Sequence, residues 1–122
     1  MPVGSINSKI MKIYHNPRCT KSRETLQLIN NEGKDVEIIE YLKNPPSVAE
    51  LTDLLKKLGI KATDLLRKGE KSYKEQYKGK TYSEKEWIKI MVEQPTLIER
   101  PIVVKGDKAI IGRPPEKVKS LF

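Results

Sequence analysis

Residues 10–46, IMKIYHNPRCTKSRETLQLINNEGKDVEIIEYLKNPP, read as strand, helix and strand, and that reading decides the fold. The apolar run from Ile10 to Tyr14 has β character. Pro17 disfavours helix at Asn16, so the strand ends in the loop HNPRC. Helical spacing then runs from Cys19 or Thr20 to Glu32 through Thr25, Leu26 and Ile29, with Gly33 where a C-terminal cap belongs. VEIIEYL, residues 36–42, is β-branched and aromatic and is closed by Asn44, Pro45 and Pro46. Such a βαβ unit is expected to cross over with a right hand.

Outward from this unit, Ser47 and Glu50 form a capping box ahead of Leu51, Leu54, Leu55 and Leu58, which predicts an amphipathic helix ending at Gly59. A short helix is expected over Ala62 to Arg67, and the lysine-rich KGEKSYKEQYKGK, residues 68–80, reads as an exposed loop. A second capping box, Ser83 with Glu86, opens a helix with Trp87, Ile90 and Met91 on its inner face, ending at Gln94 before Pro95. IVV and AII around the turn KGDK predict a β-hairpin, and Pro114 and Pro115 lead into a last helix through Val118 and Leu121. The order βαβ, helices, ββα predicts an α/β fold, a mixed four-stranded sheet with an inserted helical layer. One domain is expected over residues 10–122. Residues 1–9, MPVGSINSK, lack periodicity and read as a disordered leader or tag.

The 122 residues carry 24 Lys and Arg against 16 Asp and Glu, a formal charge of +8, with one Cys and one His. Those two residues cannot supply the usual four ligands of a zinc site, so no metal is expected, and one cysteine forms no internal disulfide. No apolar run approaches the ~20 residues needed to span a bilayer, which predicts a cytoplasmic protein without membrane contact. The basic residues are interleaved with acids, and only five Tyr, one Trp and one Phe could stack on bases. A solvated mixed surface is therefore the expected reading rather than a nucleic-acid interface.

Chemistry points to HNPRCTKSR, residues 15–23, at the carboxyl end of a strand and the start of a helix. Unpaired N–H groups of a first helical turn would face the Cys19 sulfur or a bound anion, and Arg18, Lys21 and Arg23 add positive charge. An unperturbed cysteine is about 3% thiolate at pH 7, and lowering its pKa by two units takes roughly 2.7 kcal/mol, within reach of a helix terminus plus cations. Ser22 occupies the position of the second thiol in a Cys-x-x-Cys pair, so any covalent chemistry at Cys19 must be resolved by an outside thiol. The Ser22 hydroxyl has two readings, a hydrogen bond to the thiolate or satisfaction of a backbone group. His15 either pairs with the thiolate or makes local hydrogen bonds that organise the loop, and Asn16 shapes the turn.

HNPRCTKSRETL resembles the active-site segment of the ArsC-like family, the glutaredoxin-coupled arsenate reductases. NPPS at 44–47, LLRKGE at 65–70, ERPIVV at 99–104 and IGRPPE at 111–116 are similar to the family's other blocks in the same order. The match covers residues 10–122 and is nearest to a less characterised branch, since Thr20 and Lys21 stand where the best-known members carry Gly-Thr. The resemblance implies a thioredoxin-like fold in a monomer with no bound cofactor. It implies a Cys19–arsenate adduct resolved by glutathione, as co-substrate, and glutaredoxin. Arg67, Arg100 and Arg113 fall at the positions of the family's oxyanion-binding arginines, and planar guanidinium forks suit such oxygens. A cis Arg100–Pro101 bond would match the proline loop of thioredoxin-like folds. Two alternatives share the site or the fold: a glutathione-linked thiol oxidoreductase with another substrate, and a non-enzymatic Spx-like transcription regulator.

Overall fold

Alternation of apolar residues with Lys12 places β1 (Met11–His15) at the centre of a sheet, its residues buried except Lys12. The structure, a computed structural model, describes residues 11–122; the leader expected over 1–9, and Ile10, lie outside the described residues. The chain forms two compact units, one from the described residues up to Asn44 together with Arg100–Phe122, the other from Pro45–Glu99.

In the first unit β1 runs parallel to β2 (Val36–Glu40), with Met11 opposite Val36 and His15 opposite Glu40. It runs antiparallel to β3 (Ile102–Lys105), which pairs in turn with β4 (Lys108–Ile111), giving the order β2-β1-β3-β4. This is the mixed four-stranded α/β sheet expected from the sequence. The helix α1 (Thr20–Asn31) links β1 to β2 and ends where Gly33 takes φ +69°. There the Gly33 N–H donates to the Asn30 carbonyl and the Lys34 N–H to the Ile29 carbonyl, a closure that favours glycine at the left-handed position. β2 is two residues shorter than VEIIEYL suggests, because Lys43 and Asn44 both donate to the Glu40 carbonyl and turn the chain there. Gly106 and Asp107 close the β3–β4 hairpin, with Gly106 at φ +62°.

Met11, Ile13, Ile29, Val103, Val118 and Leu121 form the core of this unit, joining the sheet, α1 and the final helical segment. That segment, Pro115–Leu121, is a 3-10 helix rather than an α-helix. Its short-range bonds, Lys117 N–H to the Pro114 carbonyl and Phe122 N–H to the Lys119 carbonyl, are of the i to i+3 kind.

Just after β4, the Gly112 N–H donates to the Pro101 carbonyl at 2.9 Å. A Cβ on Gly112 would lie 2.7 Å from Thr25 Oγ1 and 3.0 Å from Pro101 Cγ. Thr25 is fully buried and cannot swing aside. Gly112→Ala is therefore expected to cost about 1–3 kcal/mol in urea unfolding, the usual price of overpacking. An unchanged midpoint would show that this approach is looser than drawn.

In the second unit α2 (Val48–Leu58) opens with the Ser47–Glu50 capping box and closes at Gly59, φ +70°. It buries Leu51, Leu54 and Leu55. The short helix expected over 62–67 stops at Leu65, giving α3 (Ala62–Leu65). Leu66 is extended there and bridges to Ile98, with the Arg67 N–H on the Leu97 carbonyl and the Glu99 N–H on that of Leu65.

The stretch expected to be an exposed loop contains α4 (Lys71–Gln76). Tyr73 and Tyr77, four residues apart, pack against Trp87 with ring centroids 6.5 and 6.0 Å away, and this contact anchors the segment. Trp87 belongs to α5 (Glu84–Glu93), capped by Ser83 and Glu86 and followed by Gln94 as expected. Its buried residues are Trp87, Ile88 and Met91, whereas Ile90 is only partly covered. No helix among the described residues is long and apolar enough to cross a membrane.

Candidate active site

The chain from β1 into α1 closes on itself. The Cys19 N–H donates to the Asn16 carbonyl at 3.0 Å, and the Arg18 N–H donates to Asn16 Oδ1 at 3.0 Å. Asn16 thus shapes the turn, as its residue type suggests. Arg23 ties the loop from outside, donating from Nη1 to the Pro17 carbonyl at 2.9 Å.

Cys19 is the N-cap residue of α1, with extended backbone, and its thiol is half-buried and free. Burial alone would push the thiol's pKa up. The Ser22 N–H, the Arg100 guanidinium as hydrogen-bond donor and as charge, and the Lys21 N–H outweigh that effect and hold it below the ordinary value. Arg113 Nη2 donates to Cys19 Sγ at 3.5 Å, while its Nε donates to the Arg100 carbonyl at 2.7 Å. A hairpin 80 or more residues downstream therefore delivers two guanidinium groups to one sulfur. The Arg100–Pro101 bond that leads into this hairpin is cis.

Two of the nearby cations expected to add positive charge, Lys21 and Arg23, have partners of their own. Lys21 faces Glu24 at 3.9 Å, and Arg23 is occupied with the loop backbone. Arg67 belongs to the 45–99 unit. It does not end a helix. Its Nε meets Glu70 Oε1 at 3.1 Å and its Nη1 meets Glu99 Oε1 at 2.6 Å.

Of the two readings of Ser22, the structure shows the second, a hydroxyl that satisfies a backbone group. Its Oγ lies 2.6 Å from His15 Nδ1 and accepts from the Asn16 N–H at 3.1 Å. His15 makes that local bond as its hydrogen-bond partner. Thr25 and Gly112 are the residues of this region that sequence reasoning passed over; nothing in their local spacing signals a contact across 87 positions.

Burial lowers the pKa of His15, Glu40 opposes this, and Arg23 adds to it. The folded state then favours neutral imidazole, so this contribution to stability is complete above the unfolded value of about 6.5 and is lost as pH falls through the folded pKa. Urea midpoints measured from pH 7 to 5 are expected to fall more steeply for the native protein than for His15→Asn. Parallel slopes would refute the assignment.

A half-buried cysteine at a helix start, with two guanidinium groups brought to it by a hairpin after a cis-proline, defines a thiol-based site on a mixed sheet suited to an oxyanion. Residues 14–121 match the model of the ArsC family, and the chain belongs to that family. It is 51% identical over 113 residues to the uncharacterized protein YfgD of Escherichia coli K12, covering 91% of this chain and 95% of that one. An arsenate reductase of Haemophilus influenzae is 48% identical over 115 residues, covering 90% and 97% of the two chains. The structure of an arsenate reductase from Vibrio cholerae superposes with a TM-score of 0.90 at 44% identity, covering 95% of this chain and all of that one. The thioredoxin-like ArsC architecture expected from the five sequence blocks is thus the fold of this protein.

Proposed function

We propose that this protein reduces arsenate to arsenite through an adduct at Cys19. The observation that carries the reading is the Cys19 sulfur at the start of α1 with Arg113 Nη2 3.5 Å away and Arg100 favouring its thiolate. In this reading Arg100 and Arg113 hold arsenate oxygens. The thiolate attacks arsenic, an As–O bond breaks and the oxygen leaves as water. With Ser22 in place of a second thiol, reduction falls to outside thiols. Glutathione and glutaredoxin supply two thiols; their oxidation to a disulfide gives the two electrons that take arsenic from +5 to +3. Hydrolysis of the remaining sulfur–arsenic bond frees arsenite and returns the Cys19 thiolate.

The test couples arsenate, glutathione, glutaredoxin and glutathione reductase and follows NADPH oxidation. Arsenate-dependent oxidation by the native protein supports the reading, and its absence at any glutathione concentration overturns the substrate. The missing second thiol also fits a glutathione-linked oxidoreductase. That reading gains if oxidised glutathione adds about 305 Da to Cys19 and glutaredoxin removes it while arsenate is inert.

A further inference from the structure

Beneath the reacting sulfur lies a polar cluster that the proposed chemistry does not use. Ser22 is 0% exposed, His15 6% and Asn16 8%, so each of their polar groups must find a partner within the protein. Ser22 Oγ accepts from the Asn16 N–H at 3.1 Å, which leaves its own proton for His15 Nδ1 at 2.6 Å. That accounting puts the ring proton of His15 on Nε2 and keeps the imidazole neutral. Asn16 is at the same time the residue whose carbonyl receives the Cys19 N–H and whose Oδ1 receives the Arg18 N–H. One hydroxyl therefore joins the end of β1, the start of the loop and the first turn of α1.

We propose that Ser22 is a positioning residue: its hydroxyl, bound to His15 Nδ1 and the Asn16 N–H, fixes the loop that seats Cys19 at the first turn of α1. The inference deepens the proposed function and rests on its reading of Cys19 as the reactive thiol. The Ser22 N–H is the strongest of the groups favouring the thiolate, and it belongs to the residue that the hydroxyl anchors. His15 acts here as a neutral acceptor, not as a charge. Its ring faces the Glu40 carboxylate from β2 and Arg23 from α1, which pull its ionisation in opposite directions. Protonation at Nδ1 would take away the acceptor of the Ser22 hydroxyl proton, loosening the anchor.

The experiment measures the pH dependence of Cys19 alkylation by iodoacetamide in the full-length protein, which needs no arsenate or glutaredoxin. Ser22→Ala is expected to raise the midpoint by about one pH unit, a tenfold loss of thiolate below it. Ser22→Thr retains the hydroxyl and is expected to recover at least half of that shift. His15→Asn offers an amide oxygen near the place of Nδ1 without a charge to titrate, and is expected to keep the midpoint within about 0.3 units of the native one. An unchanged midpoint in Ser22→Ala overturns the proposal. So does His15→Asn raising it as far as Ser22→Ala does, which would make the imidazole's charge the active element. Should Ser22→Ala not fold, the Thr and Asn variants decide alone: loss of the low midpoint in both overturns the proposal. An ordinary midpoint in the native protein overturns the reactive-thiol reading itself, an outcome separate from the other two.

Discussion

Cys19→Ser is expected to abolish arsenate-dependent NADPH oxidation, lowering turnover by at least about a thousandfold, to the background of the reagents. The side chains differ by one atom and the loop backbone does not depend on it, since the Cys19 N–H and carbonyl make the turn and helix bonds. The folded protein should therefore survive with its melting temperature little changed. As the chain has one cysteine, no second thiol can substitute within it. Turnover within tenfold of the native rate would show that the sulfur is not the nucleophile.

The second large effect is expected at Arg100. Its guanidinium favours the Cys19 thiolate both as donor and as charge. Arg100→Met is expected to lower turnover about 10²–10³-fold, as for other lost charge-stabilising donors, and to raise the alkylation midpoint by about 1–3 units. Arg100→Lys keeps the charge but loses the planar fork, and should fall between the two. The sign of the linked stability change follows. A thiol whose folded pKa is depressed adds stability above its ordinary value and loses that gain as pH falls through the folded pKa. Arg100→Met should thus lose stability relative to the native protein at pH 9 and converge with it at pH 5. A difference that is constant across that range would place the arginine's role elsewhere.

Much of this architecture could be read from short-range patterns. The capping boxes at Ser47–Glu50 and Ser83–Glu86, the glycine stops at Gly33 and Gly59 and the Gly106–Asp107 turn are local devices, decided within four residues of chain. What escaped depends on distant partners. Lysines between 68 and 80 disguise α4, whose helix is anchored by tyrosines reaching Trp87. Leu66 leaves the helical path because Ile98 offers it a bridge. Ile88 and Ile90 are equally apolar, and only the packing of α5 chooses between them. At the site the candidate nucleophile was legible because Cys19 stands in a polar, basic run at a strand–helix junction. The company it keeps was not. Local cations Lys21 and Arg23 engage Glu24 and the loop backbone, while Arg100 and Arg113 come from the hairpin. Arg67 could be picked out by its motif, but its grip on Glu99, 32 residues away, could not.

The unit that carries Cys19 is assembled from both ends of the chain, with residues 45–99 lying between its halves in sequence. During synthesis, then, a ribosome-bound chain already displays its cysteine but has not yet made the hairpin bearing Arg100 and Arg113. The contacts of Arg100 and Arg113 with its sulfur form only when that hairpin emerges and adds its strands.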